Sequence, residues 1–168
     1  LEAYIETRLS DGVKALQPGE VQSIVIAGMG GPLMEKIIRE GKAVFDEARE
    51  LILQPQSEIE EFRRFLAKEG FSIVSEDMVE EDGKFYPMMK VVKAEKEEYA
   101  EKMNPAELRY GPLLLKQKHP VLKEFLIREY ELNEIAEVLG LTSERVRQLE
   151  LGAMKTLREE YENRLSEL

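Results

Sequence analysis

The sequence predicts an α/β fold in which a partly parallel sheet is followed by a helical region. Three observations carry this. A continuous apolar run, SIVIA at residues 23–27, breaks into the glycine cluster Gly28-Met29-Gly30-Gly31 and then a helical pattern. A second short apolar run, LIL at 51–53, is again followed by a helical pattern, and two such units in series imply parallel strands joined by a right-handed crossover. Two longer β-prone runs then flank Glu81-Asp82-Gly83, the signature of an antiparallel hairpin.

In order along the chain, residues 4–9 (YIETRL) read as a short strand ended by Ser10-Asp11-Gly12, and residues 13–16 start a helix or turn that Gln17-Pro18-Gly19 stops. The 23–27 run, with no polar alternation, is expected to be a strand buried on both faces. Pro32 suits the first turn of the next helix, which continues through LMEKIIRE to Gly41. Ser57, with Glu60 three residues later, predicts a capping box for a helix over 58–69 that Gly70 terminates. Strands follow over 71–79 and 84–93, with Pro87 in the second arguing for an edge or a bulge. The charged stretch 93–102 is the expected domain boundary, dividing the chain into 1–98 and 99–168. Beyond Asn104-Pro105 the pattern is helical, interrupted at Gly111-Pro112 and His119-Pro120.

The totals exclude several chemistries. The 168 residues are 43% hydrophobic and 35% charged, as in a globular protein with one good core or a core plus a small helical module. No apolar run approaches the roughly 18 residues that a membrane span needs, and the N-terminus has no signal-like core, so a cytoplasmic setting is expected. There is no Cys, and His119 is the only His, which removes disulfides, thiolate catalysis, Cys-ligated zinc and a Ser/His/Asp triad. A net charge of −10 opposes non-specific nucleic-acid binding, so any such contact must be local.

A glycine cluster directly after a buried strand lies where open α/β sheets bind ligands, beyond the strand's carboxyl end. Without side chains, Gly28, Gly30 and Gly31 let a ligand approach the main chain; the alternative is a tight strand-to-helix turn and nothing more. Leu33 occupies the third glycine position of the dinucleotide fingerprint, which disfavours an NAD enzyme.

Four blocks in order, IAGMGGPLM, LILQPQ with its helix ending LAKEGF, EDGKFYPMMKVV and LRYGPLLLK, resemble the bacterial tRNA adenine-N1 methyltransferase family, TrmK, over about residues 4–130. The resemblance implies a class I, S-adenosyl-L-methionine-dependent Rossmann-like domain followed by a helical domain, with tRNA as partner. It places Ser10, Asp11 and Gly12 with Ala27 and Gly28 beside the cofactor. It places Gly28, Met29, Gly30 and Gly31 in the methyl-transfer wall, and Gln54, Pro55 and Tyr86 on the substrate-facing side. Each has a plainer reading: Asp11 as a turn residue, Gln54-Pro55 as a strand end, Tyr86 as sheet packing. The family's glycine-rich cofactor loop would lie upstream of Leu1, so the chain is expected to be N-terminally truncated or hybrid, with impaired cofactor binding.

The implied reaction, attack of an adenine ring nitrogen on a sulfonium methyl, needs positioning rather than an activated nucleophile or metal, and backbone carbonyls near Gly28–Gly31 or a carboxylate are the expected stabilisers of the charge that the ring gains. Residues 133–158 separately resemble the helix-turn-helix of region 4 in bacterial sigma factors. Ile135, Ala136 and Leu139 would form an inner face, Gly140 the turn, and Val146 and Leu149 the anchors of a second helix starting near Ser143. Glu144, Arg145, Arg147 and Gln148 would then face a DNA groove. Against this, residues 133–168 hold eight acidic and five basic residues, a net of −3. The apolar stripe Val146, Leu149, Ala153, Leu157, Tyr161, Leu165 and Leu168 suits a helical hairpin equally. The second expectation is therefore a non-catalytic protein that binds duplex DNA or RNA polymerase; an unpaired sheet edge would also favour self-association.

Overall fold

The structure, a computed structural model, describes residues 5–94, 103–149, 151–153 and 155. Most of the expected boundary stretch 93–102, and the stripe beyond Ala153, lie outside the described residues. The elements are β1 (Ser23–Met29), α1 (Gly31–Glu40), α2 (Lys42–Glu47), β2 (Glu50–Pro55), α3 (Ile59–Lys68), β3 (Phe71–Glu81), β4 (Lys84–Lys93), α4 (Pro105–Tyr110), α5 (Pro112–Lys116) and α6 (Pro120–Leu139). A further helix, α7, covers 143–149. Among the described residues no helix is long and apolar enough to cross a membrane.

The sheet order is β1-β2-β4-β3, with β1 and β2 parallel and the other pairs antiparallel. Ile24, Ile26, Leu51, Leu53, Met89 and Val91 share one buried core with Met34 and Ile38 of α1, Phe45 of α2 and Phe62, Phe65 and Leu66 of α3. The helices thus cover one face of the sheet. The expectation that β1 is buried on both faces is corrected here: Val25 is 65% exposed and Ile52 37%. An unbroken apolar run does not distinguish a strand covered twice from one covered once.

Residues 5–9 form no strand and are exposed. Strand geometry needs a neighbour for its N–H and C=O groups, and none of the described strands pairs with this segment; Arg8 instead holds it through Glu6, Glu20 and the Ala15 carbonyl. The capping box is also corrected. The N-cap of α3 is Glu58, in the left-handed region at φ 51°, with no side-chain cap bond, because the Ser57 carbonyl turns away to accept the Gly31 N–H at 3.0 Å.

The hairpin turns on Asp82 and Gly83, both at positive φ (50° and 74°) as a type I′ turn requires. Pro87 pairs with Met78 of β3, while β2 meets β4 only over Met89–Val91. The proline therefore lies beyond the part of β4 that is hydrogen-bonded to β2, and the bulge lies in β3 between Ile73 and Ser75.

The chain divides into two compact units, Leu1–Leu122 and Lys123–Leu168, rather than after residue 98. A buried polar clamp explains why α4 and α5 stay with the sheet. Arg63 of α3, 1% exposed, donates to Glu76 Oε1 of β3 at 3.0 Å and to the Leu108 and Arg109 carbonyls at 2.8 and 3.2 Å. Glu76 Oε2 accepts the Leu113 and Leu114 N–H groups at 2.8 and 3.3 Å. One ion pair thus caps the C-terminus of α4 and the N-terminus of α5 together. Gly111 between them has φ 96°, and a Cβ there would meet both Glu76 oxygens at 2.7 Å. α4 opens on a reciprocal capping box: Asn104 Oδ1 accepts the Glu107 N–H at 3.0 Å and Glu107 Oε2 accepts the Asn104 N–H at 2.8 Å. Asn104→Ala is expected to cost about 1 kcal/mol, read as a lower urea midpoint at unchanged m-value.

In the second unit, Leu132 and Ala136 of α6 pack on Val146 of α7, with Gly140 at φ 64° making the turn and Thr142 Oγ1 accepting the Arg145 N–H at 3.2 Å. The expected inner face is corrected: Ala136 is buried, whereas Ile135, Leu139 and Leu149 are exposed. With α6 running as a 20-residue helix, Leu132 one turn earlier supplies the packing that the local pattern assigned to Ile135 and Leu139.

Candidate functional site

The carboxyl ends of β1 and β2 are knitted into one surface by an extra residue. The parallel ladder pairs Ala27 with Gln54 and then Met29 with Pro55, so Gly28 has no opposite number. It is a β-bulge, a feature concentrated near functional sites. Gly28 takes φ +76°, which a side chain would resist. Its N–H, displaced from the ladder, is accepted by the Gln54 side-chain Oε1 at 2.8 Å. The Met29 carbonyl accepts the Gln56 N–H at 2.8 Å, and Gly31 N–H bonds Ser57 as described.

Each glycine has a distinct spatial role. A Cβ on Gly30 would lie 2.8 Å from Ser57 Oγ, and one on Gly31 2.8 Å from the Ser57 carbonyl, 3.2 Å from that of Glu58 and 3.4 Å from Phe62 Cβ. Those two glycines let α1 and the start of α3 touch. At Gly28 the nearest atom to such a Cβ is Gln56 Nε2, at 3.9 Å. Only Gly28 leaves open space against the main chain, and Ala27, Gly28 and Met29 are exposed.

Among the expected substrate-side residues, Gln54 is part of this wall through Gly28. Pro55 is fully buried, so its side chain packs in the sheet. Continuing the β2–β4 register by one residue puts Met88 level with Gln54, and Asp77 pairs with Met88. Ala27, Gln54, Met88 and Asp77 therefore form one row across the sheet, with half-buried Tyr86 two residues beyond it at the same end. Ser10, Asp11 and Gly12 sit elsewhere. Ser10 Oγ accepts the Ala15 N–H at 3.0 Å. The Lys14 ammonium, 2.6 Å from Asp11, holds that carboxyl below its ordinary value. Gly12 packs where a Cβ would be 3.1 Å from Ile37. Asp11 and Gly12 line a small cavity of about 20 Å³ with Lys36, Glu40 and Gly41, about the room one water needs. The structure thus sets this turn along α1 towards its C-terminus, whereas the glycine wall is at its N-terminus. Of the residues expected to face DNA, Glu144, Arg145 and Gln148 are exposed, but Arg145 bonds Gln148 and Arg147 is held by Glu129 and Glu144.

Sequence reasoning missed Gln56 and Ser57, which knit the wall, and the Arg63–Glu76 clamp. The run QPQS directly after β2 was the available signal for the first two; the clamp left none, its partners being 13 and 45 positions apart.

A parallel strand pair ending in a bulged glycine wall, followed by an antiparallel hairpin on the same sheet, defines this as the ligand-facing part of a Rossmann-like α/β domain. Residues 1–160 match the model of the family TrmK, tRNA (adenine(22)-N(1))-methyltransferase, and the chain belongs to that family. The tRNA (adenine(22)-N(1))-methyltransferase of Bacillus subtilis (strain 168) is 34% identical over 122 residues, covering 72% of this chain and 51% of that protein. The chain spans about half the length of the curated relatives it matches. The crystal structure of the B. subtilis tRNA methyltransferase TrmK superposes with a TM-score of 0.66 at 28% identity, over 94% of this chain and 70% of that one. A Streptococcus pneumoniae homologue in complex with S-adenosyl-L-methionine gives 0.66 at 32% identity, over 84% and 66%.

Proposed function

We propose that the chain forms the base-facing wall of an S-adenosyl-L-methionine-dependent methyltransferase acting on N1 of an adenine in tRNA, in the cytoplasm. The observation that carries this reading is the Gly28 bulge. It is an uncharged, side-chain-free surface at the carboxyl ends of two parallel strands, held in place by Gln54 and open on its outer side. Its fit to the cofactor is at the reacting end: Ala27, Gly28 and Met29 offer main chain to a flat or sulfur-bearing group, and no side chain at Gly28 obstructs it.

When bound, S-adenosyl-L-methionine supplies a methyl group activated by its sulfonium charge. The chain's own residues have a positioning task, since the adenine N1 lone pair attacks without first losing a proton. Gln54 fixes the wall by taking the Gly28 N–H. The modified ring acquires positive charge, and main-chain carbonyl dipoles suit it. The Met29 carbonyl already accepts the Gln56 N–H, and the Gly30 carbonyl those of Leu33 and Met34. Tyr86, at the same end of the sheet, has an aromatic face on which an unstacked base could lie.

The test is incubation of the chain with labelled S-adenosyl-L-methionine and unmodified tRNA, with reverse-transcription arrest locating the product. Arrest at an adenine, accompanied by label, is expected. Label on another base, or no incorporation at saturating S-adenosyl-L-methionine, where impaired cofactor binding no longer limits, would refute the reading.

A further inference from the structure

Residues 108–123 contain no Asp or Glu, in a chain with 34 of them, and carry Arg109, Lys116, Lys118 and Lys123. The part of this stretch in the first unit is a basic island on an acidic protein. Elsewhere in that unit cations are mostly neutralised locally: Lys14 by Asp11 and Glu40, Lys42 and Lys93 by Asp46, Lys90 by Glu50. Lys116 and Lys118 are exposed, and neither has a carboxylate partner among the described residues.

The island is also held in a fixed place. Lys118 adopts φ 51°, unusual for a side-chain-bearing residue, and its N–H bonds the Leu115 carbonyl at 3.1 Å. The next residue, His119, meets Asp77 through Nε2 at 3.0 Å, and its Nδ1 is buried without a partner. The tautomer with hydrogen on Nε2 satisfies this arrangement, because Nδ1 is then a lone pair and no donor is stranded. Asp77 ends the row Ala27-Gln54-Met88-Asp77. With strands about 4.8 Å apart, the latch lies roughly 10 Å across the sheet from Gln54, and two residues along from Tyr86.

We propose that Lys116 and Lys118 form a phosphate-backbone contact for the RNA substrate on the rim beside Tyr86. The proposal rests on the tRNA reading above. A base drawn out of its stack into the Gly28 wall keeps its flanking phosphates at the rim, and two unpaired ammonium groups there meet them without first breaking an internal ion pair. Such contacts add affinity without reading sequence.

The experiment is tRNA filter binding by the 168-residue chain over a salt series, for the wild type, Lys116→Gln/Lys118→Gln, the conservative Lys116→Arg/Lys118→Arg, and Lys68→Gln as an exposed lysine elsewhere. The Gln pair is expected to weaken binding roughly tenfold near 0.1 M salt and to lower the log–log salt slope by about two. The Arg pair and Lys68→Gln should behave as wild type. Wild-type binding with an unchanged slope in the Gln pair sinks this proposal and leaves the tRNA reading standing. No tRNA binding by the wild type at low salt overturns both.

Discussion

Replacing Arg63 with methionine is expected to remove about 3–5 kcal/mol from the stability of the first unit, the penalty for leaving one member of a buried pair unpaired. Glu76 would remain as a carboxylate among apolar neighbours, and the Leu108 and Arg109 carbonyls would lose their donor. Glu76→Gln should cost less, because its amide oxygen can still accept from Leu113 or Leu114 while the ion pair is lost. Burial pulls the Arg63 guanidinium below its ordinary value, and Glu76 opposes that shift; the pair persists because each charge has both its counter-charge and hydrogen-bond partners. Removing both as Arg63→Met/Glu76→Leu should cost less than the sum of the singles, with the coupling read from urea midpoints in a double-mutant cycle. Single variants within 1 kcal/mol of wild type would show that the clamp is dispensable. Domain stabilities are commonly about 5–15 kcal/mol, so this change is large enough to release α4 and α5 from the sheet.

The same clamp marks where sequence reading stopped. The strands, the glycine turn and the hairpin were legible because their signals are local: an apolar run, then glycines, or Asp82-Gly83 between β-prone segments. Arg63 and Glu76 look like ordinary charges on a helix and a strand, and only the fold brings them together. Hence the charged stretch at 93–102 gave no sign that α4 and α5 bond to α3 and β3 through this pair. Residues 4–9 have strand composition, but strand identity is settled by a partner rather than by composition. The Ser57–Glu60 spacing fits a capping box; tertiary demand prevailed, because the Ser57 carbonyl is committed to Gly31 across the α1–α3 contact.

The candidate site was legible in part for the same reason. Gly28 through Gly31 could be singled out from their place after β1, but their division of labour could not. Gly28 is the open bulge, whereas Gly30 and Gly31 are packing surfaces, and that distinction depends on where the chain returns 26 residues later. Gln54 was identified by resemblance as substrate-facing. Its bond to the Gly28 N–H makes it also the residue that replaces a missing ladder acceptor.

Under the proposed methyltransferase reading, Gly31→Ala is expected to lower methyl transfer by about 100-fold or more while costing only about 1–3 kcal/mol of stability. The added methyl would lie 2.8 and 3.2 Å from two main-chain carbonyls, those of Ser57 and Glu58, which cannot rotate away as a side chain could. α1 must move from the start of α3, and Gly31 is three residues from Gly28, so the wall moves with it. A displacement of an ångström at a site whose task is positioning can cost two orders of magnitude in rate, even where the fold survives. Gly152→Ala is the matched control: no atom lies within 4 Å of its added Cβ, and in an exposed helical position alanine should be neutral or stabilising by up to about 1 kcal/mol. Steady-state kinetics and urea denaturation on both variants separate the effects. If Gly31→Ala retains wild-type turnover, the close approach of α1 and α3 is not what sets the wall, and the placement of Gly28 must then come from Gln54 alone.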